Sequence, residues 1–175
     1  MRSDKEGPNQ GSHGGGMILA KFQLNGQMVE EEVALNGTLL DLLRNRLKIT
    51  SVKKGCDLGE CGTCTVLLNG KPVRSCLMLA VQADNTEVTT LEGLTGLGEL
   101  SVIQEAFMEK YGFQCGFCTP GMILVTKALL DENPNPTVDE IEQALEGNLC
   151  RCTGYEQIIE SVLRAADLGR KQRAR

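Results

Sequence analysis

Eight cysteines fall into two groups of four, Cys56, Cys61, Cys64 and Cys76, then Cys115, Cys118, Cys150 and Cys152, with none left over. The first group reads C-x-x-x-x-C-x-x-C with a fourth cysteine further on, the plant-type spacing for a 2Fe-2S cluster. Such a cluster needs four thiolates converging from a tight loop and a more distant strand, with hydrogen bonds to offset the charge on sulfur. The run Gly55-Cys56-Asp57-Leu58-Gly59-Glu60-Cys61-Gly62-Thr63-Cys64 suits that demand, because its glycines let backbone amides turn inward. Zinc is the alternative, although tetrahedral zinc sites more often draw two close pairs. The second group, C-x-x-C and then C-x-C thirty-one residues later, fits a cluster, a zinc site or a redox disulfide by spacing alone.

The elements that must position these residues change character halfway along the chain. From Met17 to Leu35 two strand-like runs flank Asn25-Gly26, and a second pair, from Thr65 to Cys76, flanks Asn69-Gly70. Asn-Gly accepts positive φ at both positions, so each pair predicts a hairpin. Between them Leu39, Leu42, Leu43 and Leu47, preceded by Thr38 as N-cap, predict a short helix, and Glu87 to Leu91 a last strand. The second half reads as four helices. Ser101 with Gln104 and Thr137 with Glu140 form capping boxes that start two of them. Each of those leads into a cysteine pair followed by a threonine, Thr119 or Thr153, read as the N-cap of the next helix, with Pro120 at a first helical position. The arrangement of helix, cysteine pair, cap and helix thus occurs twice. It predicts cysteine pairs meeting near helix N-termini, where aligned N–H groups favour thiolate charge. The expected divisions are a tail over 1–16, which holds the lone His13, a sheet domain over 17–92, a helical domain over 93–168 and a basic tail over 169–175.

Composition narrows the function classes. In 175 residues, 41% are apolar, enough for a real core, but only 3% are aromatic, which leaves little for base stacking. A net charge of −5 argues against nucleic acid and anionic membranes as partners. The polar, Gly-rich start has no apolar run of signal-peptide type, so the chain reads as cytoplasmic, where thiols stay reduced and clustered cysteines imply metal or catalysis.

Over nearly all of Met17 to Leu168 the chain resembles the small iron-sulfur subunit of the molybdenum hydroxylase family, which includes xanthine dehydrogenase, aldehyde oxidoreductase and carbon monoxide dehydrogenase. The segments that carry the resemblance are Gly55 to Cys64, Gln114-Cys115-Gly116-Phe117-Cys118-Thr119-Pro120-Gly121, and Gly147-Asn148-Leu149-Cys150-Arg151-Cys152-Thr153-Gly154-Tyr155. The resemblance implies an α+β chain: an N-terminal plant-ferredoxin-like β-grasp domain, then a four-helix domain with pseudo-twofold symmetry. Each domain would hold one 2Fe-2S cluster on four of the eight cysteines. It further implies a molybdenum-pterin on a large partner subunit, faced by Gln114 and Cys152, and FAD on a medium one, in a heterotrimer or a dimer of heterotrimers. The chain would then be a relay with no catalytic residues of its own in an oxidoreductase that hydroxylates xanthine or another purine, an aldehyde or an N-heteroaromatic. A free ferredoxin-type carrier is the competing reading. The whole helical half would be superfluous to such a carrier.

Overall fold

The structure, a computed structural model, describes residues 16–95 and 100–173. The expected N-terminal tail, including His13, lies outside them except for Gly16. The chain is of mixed α+β type, with one sheet followed by a set of helices.

Strands β1 (Met17–Leu24) and β2 (Gln27–Ala34) pair antiparallel from end to end, as do β3 (Thr65–Leu68) and β4 (Lys71–Arg74). At both turns the Asn and the Gly have positive φ, 53° and 81° at Asn25-Gly26 and 48° and 80° at Asn69-Gly70. That matches the primed turns whose twist suits two-residue hairpins. Strand β5 (Glu87–Thr89) lies between the hairpins, parallel to β1 and antiparallel to β3, giving the order β2-β1-β5-β3-β4. It is shorter than expected from the sequence, because the chain turns after Thr89 into a 3-10 turn at Leu91–Leu94.

Alternate residues of β1, Ala20, Phe22 and Leu24, point into a core completed by Leu39, Leu40, Leu43, Val52, Val66 and Val88. Cys64 and Cys76 belong to the same buried cluster, so two of the thiols are anchored by the core itself. Thr38 caps α1 (Leu39–Asp41), its hydroxyl accepting from Asp41 N at 3.1 Å. The helix then widens into a π turn over Leu42–Arg46, closed by Leu47 N on Leu42 O. Beyond it the Arg44 guanidinium ties down the following segment through the carbonyls of Thr50 and Val52.

In the second half α2 (Val102–Glu109) and α4 (Val138–Leu145) begin with the expected capping boxes at Ser101 and Thr137. The other two helix starts differ from expectation. In α3 (Thr119–Glu132) Thr119 is already helical and Cys118 occupies the cap position, with no side-chain cap bond. In α5 (Glu156–Arg173) Thr153 lies too far ahead to cap, and its hydroxyl accepts from Tyr155 N instead. Positive φ at Gly154 and Tyr155 inserts a sharp bend between threonine and helix. Helix α5 also continues through Arg173 rather than ending at Leu168, so most of the expected basic tail is helical. Phe107, Met122, Ile141, Ile158 and Val162 form the core of this half, with Cys118 packed among them. Among the described residues no helix is long and apolar enough to cross a membrane.

Candidate metal centres

The loop between Gly55 and Cys64 is wound by three residues of positive φ, Asp57 at 60°, Gly59 at 82° and Gly62 at 69°. Left-handed positions alternating with ordinary ones turn successive amides toward one side, which makes an anion-binding concavity. Cys56 Sγ accepts from Leu58 N at 3.3 Å and Cys61 N at 3.4 Å. Those amides, Cys61's foremost, draw the Cys56 thiol down from its ordinary value to about 7. Cys61 Sγ lies 3.2 Å from the Thr63 hydroxyl. A side chain at Gly55 would stand 2.7 Å from both of those atoms, so the loop closes only over glycine there. Cys76 follows β4, and its thiol is pushed up to about 11, first by burial and then by the adjacent Cys64.

The second set is assembled from two loops. Cys115 and Cys118 precede α3, and Cys150 and Cys152 lie between α4 and α5. Cys115 and Cys152 bring their sulfurs within 3.6 Å. That is close to the ~3.7 Å separation of two thiolates on one tetrahedral metal with bonds of ~2.3 Å. Cys118 and Cys150 form the other pair, and burial followed by the Cys150 neighbour pushes the Cys118 thiol up to about 12. Cys150 moves the opposite way. Burial opposes its ionisation, but bonds from the Thr153 hydroxyl, at 3.2 Å, and the Thr153 and Cys152 amides outweigh it. The Cys152 thiol is raised, chiefly by its bond with Cys115. All eight cysteines are free thiols.

In both sets fixed hydrogen bonds favour thiolate at one cysteine, while crowding among the four opposes further ionisation. A bound cation or cationic cluster relieves that crowding, because coordination deprotonates thiols outright. The residues present therefore fit a thiolate-ligated centre in each half. The thiols are disposed in pairs, and no three Cys, His, Asp or Glu side chains among the described residues converge on a point that would hold a single ion.

Gln114 and Cys152, far apart in sequence, are brought together: Gln114 Nε2 donates to Cys152 O at 3.1 Å, and both residues are exposed. Several supporting side chains escaped the sequence reading. The Tyr155 hydroxyl accepts from Cys150 N at 3.0 Å and donates to Asn148 O at 3.2 Å, fastening the second loop. Thr63 and Thr153 place hydroxyls beside Cys61 and Cys150, a role that residue type alone does not reveal. The two loops also touch. Leu149 N donates to Cys61 O at 3.0 Å, and Arg74 reaches the carbonyl of Gly147.

Comparison with known proteins agrees with this division. Residues 22–92 match the 2Fe-2S iron-sulfur cluster binding domain and residues 90–163 the [2Fe-2S] binding domain. Fold and sites thus define a two-cluster iron-sulfur protein. The chain is 52% identical to the nicotinate dehydrogenase small FeS subunit of Eubacterium barkeri over 150 residues, covering 86% of this chain and 96% of that one. It is 46% identical over 144 residues to a subunit of the probable xanthine dehydrogenase of Bacillus subtilis (strain 168), covering 82% of this chain and 83% of that one. Among solved structures, quinoline 2-oxidoreductase from Pseudomonas putida 86 matches with a TM-score of 0.85 at 41% identity, covering 89% of this chain and 97% of that one. The chain belongs to the small iron-sulfur subunits of the molybdenum hydroxylase family.

Proposed function

We propose that this chain relays electrons from a molybdenum-pterin site on a large partner subunit to FAD on a medium one, within an enzyme that hydroxylates its substrate. The observation that carries the reading is the contact between the two cysteine loops: Cys61 O accepts from Leu149 N, one peptide before Cys150. Two four-thiol sites whose loops are hydrogen-bonded directly to each other suit a fixed two-step relay. A free carrier would need one site only. Bound there, each 2Fe-2S cluster would take up and release one electron at a time.

The ligands in this reading are Cys56 with Cys61 and Cys64 with Cys76 in the sheet half, and Cys115 with Cys152 and Cys118 with Cys150 in the helical half. The strand order β2-β1-β5-β3-β4 supports describing the sheet half as a plant-ferredoxin-like β-grasp. The matched capping boxes of α2 and α4 support a pseudo-twofold helical half. Gln114 and Cys152, hydrogen-bonded at the surface, are the residues we assign to the pterin side. Exposed Phe117 and Leu149 surround that edge, and exposed Leu58 and Leu77 flank the first loop. Apolar side chains of that size beside a site mark contact with other chains. We assign these two edges to the large and the medium subunit respectively. Nicotinate, xanthine and quinoline, in the names of three relatives, contain N-heteroaromatic rings, which supports that class, purines included, as substrate of the assembled enzyme, beside the aldehydes named for other relatives.

Iron and acid-labile sulfide measured on anaerobically purified protein should each come to about four per chain, from two clusters. Zinc in either site, or half that iron, would overturn the ligand assignment. A single chain eluting alone from its native source would overturn the subunit reading.

A further inference from the structure

The joint between the two cysteine loops is built with no clearance. The Gly62 carbonyl accepts from Asn148 Nδ2 at 3.2 Å and from the Thr65 hydroxyl at 2.6 Å. Arg74 spans the seam from β4, one guanidinium nitrogen donating to Thr65 Oγ1 at 2.8 Å and the other to the Gly147 carbonyl. A Cβ on Gly62 would stand 2.7 Å from the Asn148 amide carbon, and one on Gly121 would stand 2.7 Å from the Gly62 carbonyl oxygen and 2.8 Å from Asn148 Nδ2. Gly62, with φ of 69°, therefore serves both the turn and the close approach.

Each part of this joint lies beside a cysteine. Gly62 follows Cys61, Asn148 and Leu149 precede Cys150, Gly121 sits in the first turn of α3 behind Cys118, and Arg74 is two residues before Cys76. Asn148 is 1% exposed, and its Oδ1 has no hydrogen-bond partner among the described residues. The oxygen end of the amide thus makes no bond across the seam among those residues. Its donor end, by contrast, fixes one loop against the other at the hydrogen bond's length.

We propose that Asn148 and Arg74 are positioning residues that set the separation of the two clusters, Asn148 by spanning the seam and Arg74 by holding β4 and the Gly147 carbonyl together. This rests on the reading of the eight cysteines as ligands of two 2Fe-2S clusters. Asn148 acts through the Gly62 carbonyl, and Arg74 through the Thr65 hydroxyl and the Gly147 carbonyl. Asn148→Asp keeps size and shape but replaces the donor with an oxygen that faces the Gly62 carbonyl, and Arg74→Met keeps an unbranched apolar stem but removes both donors.

The experiment uses the complete enzyme with its partner subunits, both clusters reduced with dithionite, and reads the magnetic splitting between the two paramagnetic centres. That splitting falls with the inverse cube of their separation and reports geometry rather than activity. With iron and sulfide content held at the wild-type value, the splitting should narrow or be lost in both variants, and transfer between the clusters should slow. Arg164→Met, a substitution on α5 away from the seam, should leave it unchanged. Wild-type splitting in Asn148→Asp and Arg74→Met, both clusters present, would overturn the proposal. So would loss of a cluster in both variants, since the contacts would then hold ligand loops together rather than set spacing. If only Asn148→Asp loses a cluster, Arg74→Met alone decides. A wild-type enzyme without two cluster signals would instead defeat the ligand reading beneath it.

Discussion

The sheet half gathers three of its thiols from one ten-residue loop and buries two, Cys64 and Cys76, in its own core. The helical half draws its four from two separate loops and leaves Cys115 and Cys152 at the surface. The first site is a local structure that its loop and sheet define together. The second exists only when the loop before α3 meets the loop between α4 and α5, and two of its thiols, Cys115 and Cys152, are exposed. The same donor set is thus reached once through backbone conformation and once through tertiary packing, and the two should respond differently to damage.

The largest effect should come from removing a ligand in each half. Cys61→Ser should cost the sheet-half cluster, about half the iron, while the helical half keeps its own core and cluster. On the proposed relay, substrate should still reduce the helical-half cluster, with electrons stalling before the flavin. Cys118→Ser should remove the other cluster and stop transfer at its first step. Rapid-mixing spectroscopy that follows each cluster and the flavin separately distinguishes the two. Wild-type flavin reduction in Cys61→Ser after proven loss of its cluster would show that the sites do not act in series.

A smaller and more symmetric effect is expected from the threonines. Thr63 and Thr153 each place a hydroxyl 3.2 Å from a sulfur, Cys61 and Cys150. A hydrogen bond to a thiolate ligand stabilises the added negative charge of the reduced cluster. Thr63→Val should therefore lower the potential of the sheet-half cluster by tens of millivolts and leave the other in place. Thr153→Val should do the reverse, and redox titration monitored by electron paramagnetic resonance reads both. Equal shifts of both potentials in either variant would mean that the two centres share one electrostatic environment.

The smallest effect concerns the segment leading into the first loop. Glu92 accepts from Ser51 N at 3.1 Å and Ser51 Oγ at 2.6 Å, and from the Thr90 hydroxyl at 2.6 Å. Burial alone would raise its carboxyl, but the Ser51 and Thr90 bonds outweigh it and hold it below the ordinary value of 4.5. A carboxylate lowered in the folded state stabilises fully above its unfolded value and loses that contribution as pH falls through the folded one. Melting temperature should thus drop more steeply below pH 4.5 in the wild type than in Glu92→Gln, and a parallel decline would remove Glu92 from the account.

What could be read beforehand follows the range of the interactions. Asn25-Gly26, Asn69-Gly70, Thr38, Ser101 with Gln104 and Thr137 with Glu140 act within four residues, and each does in the structure what its local pattern predicts. Thr119 and Thr153 have the type of caps, but whether they cap depends on how the chain bends to bring cysteines together, and there the local rule fails. The seam lay further out of reach. Asn148 and Gly62 are 86 residues apart, and Arg74 and Gly147 are 73 apart, so no pattern in a sequence window points to either contact. The switch from α to π geometry after Asp41 likewise answers to packing and to the Arg44 tether.

The outer strands of the sheet bear on the life of the chain before its partners arrive. Among the described residues strand β2 pairs only with β1, and it carries Glu30, Glu31 and Glu32 in succession, with Lys21 and Arg46 engaging the first two. Strand β4, at the opposite border, pairs among those residues only with β3 and holds Lys71 and Pro72, the latter with no amide hydrogen to offer. A bare strand border is a template for another chain to add itself, and consecutive like charges or a proline discourage that addition. Copies of the chain are thereby kept from zipping together through their sheets, so that contact with other chains falls to the exposed apolar side chains beside the cysteine loops, Leu58, Leu77, Phe117 and Leu149.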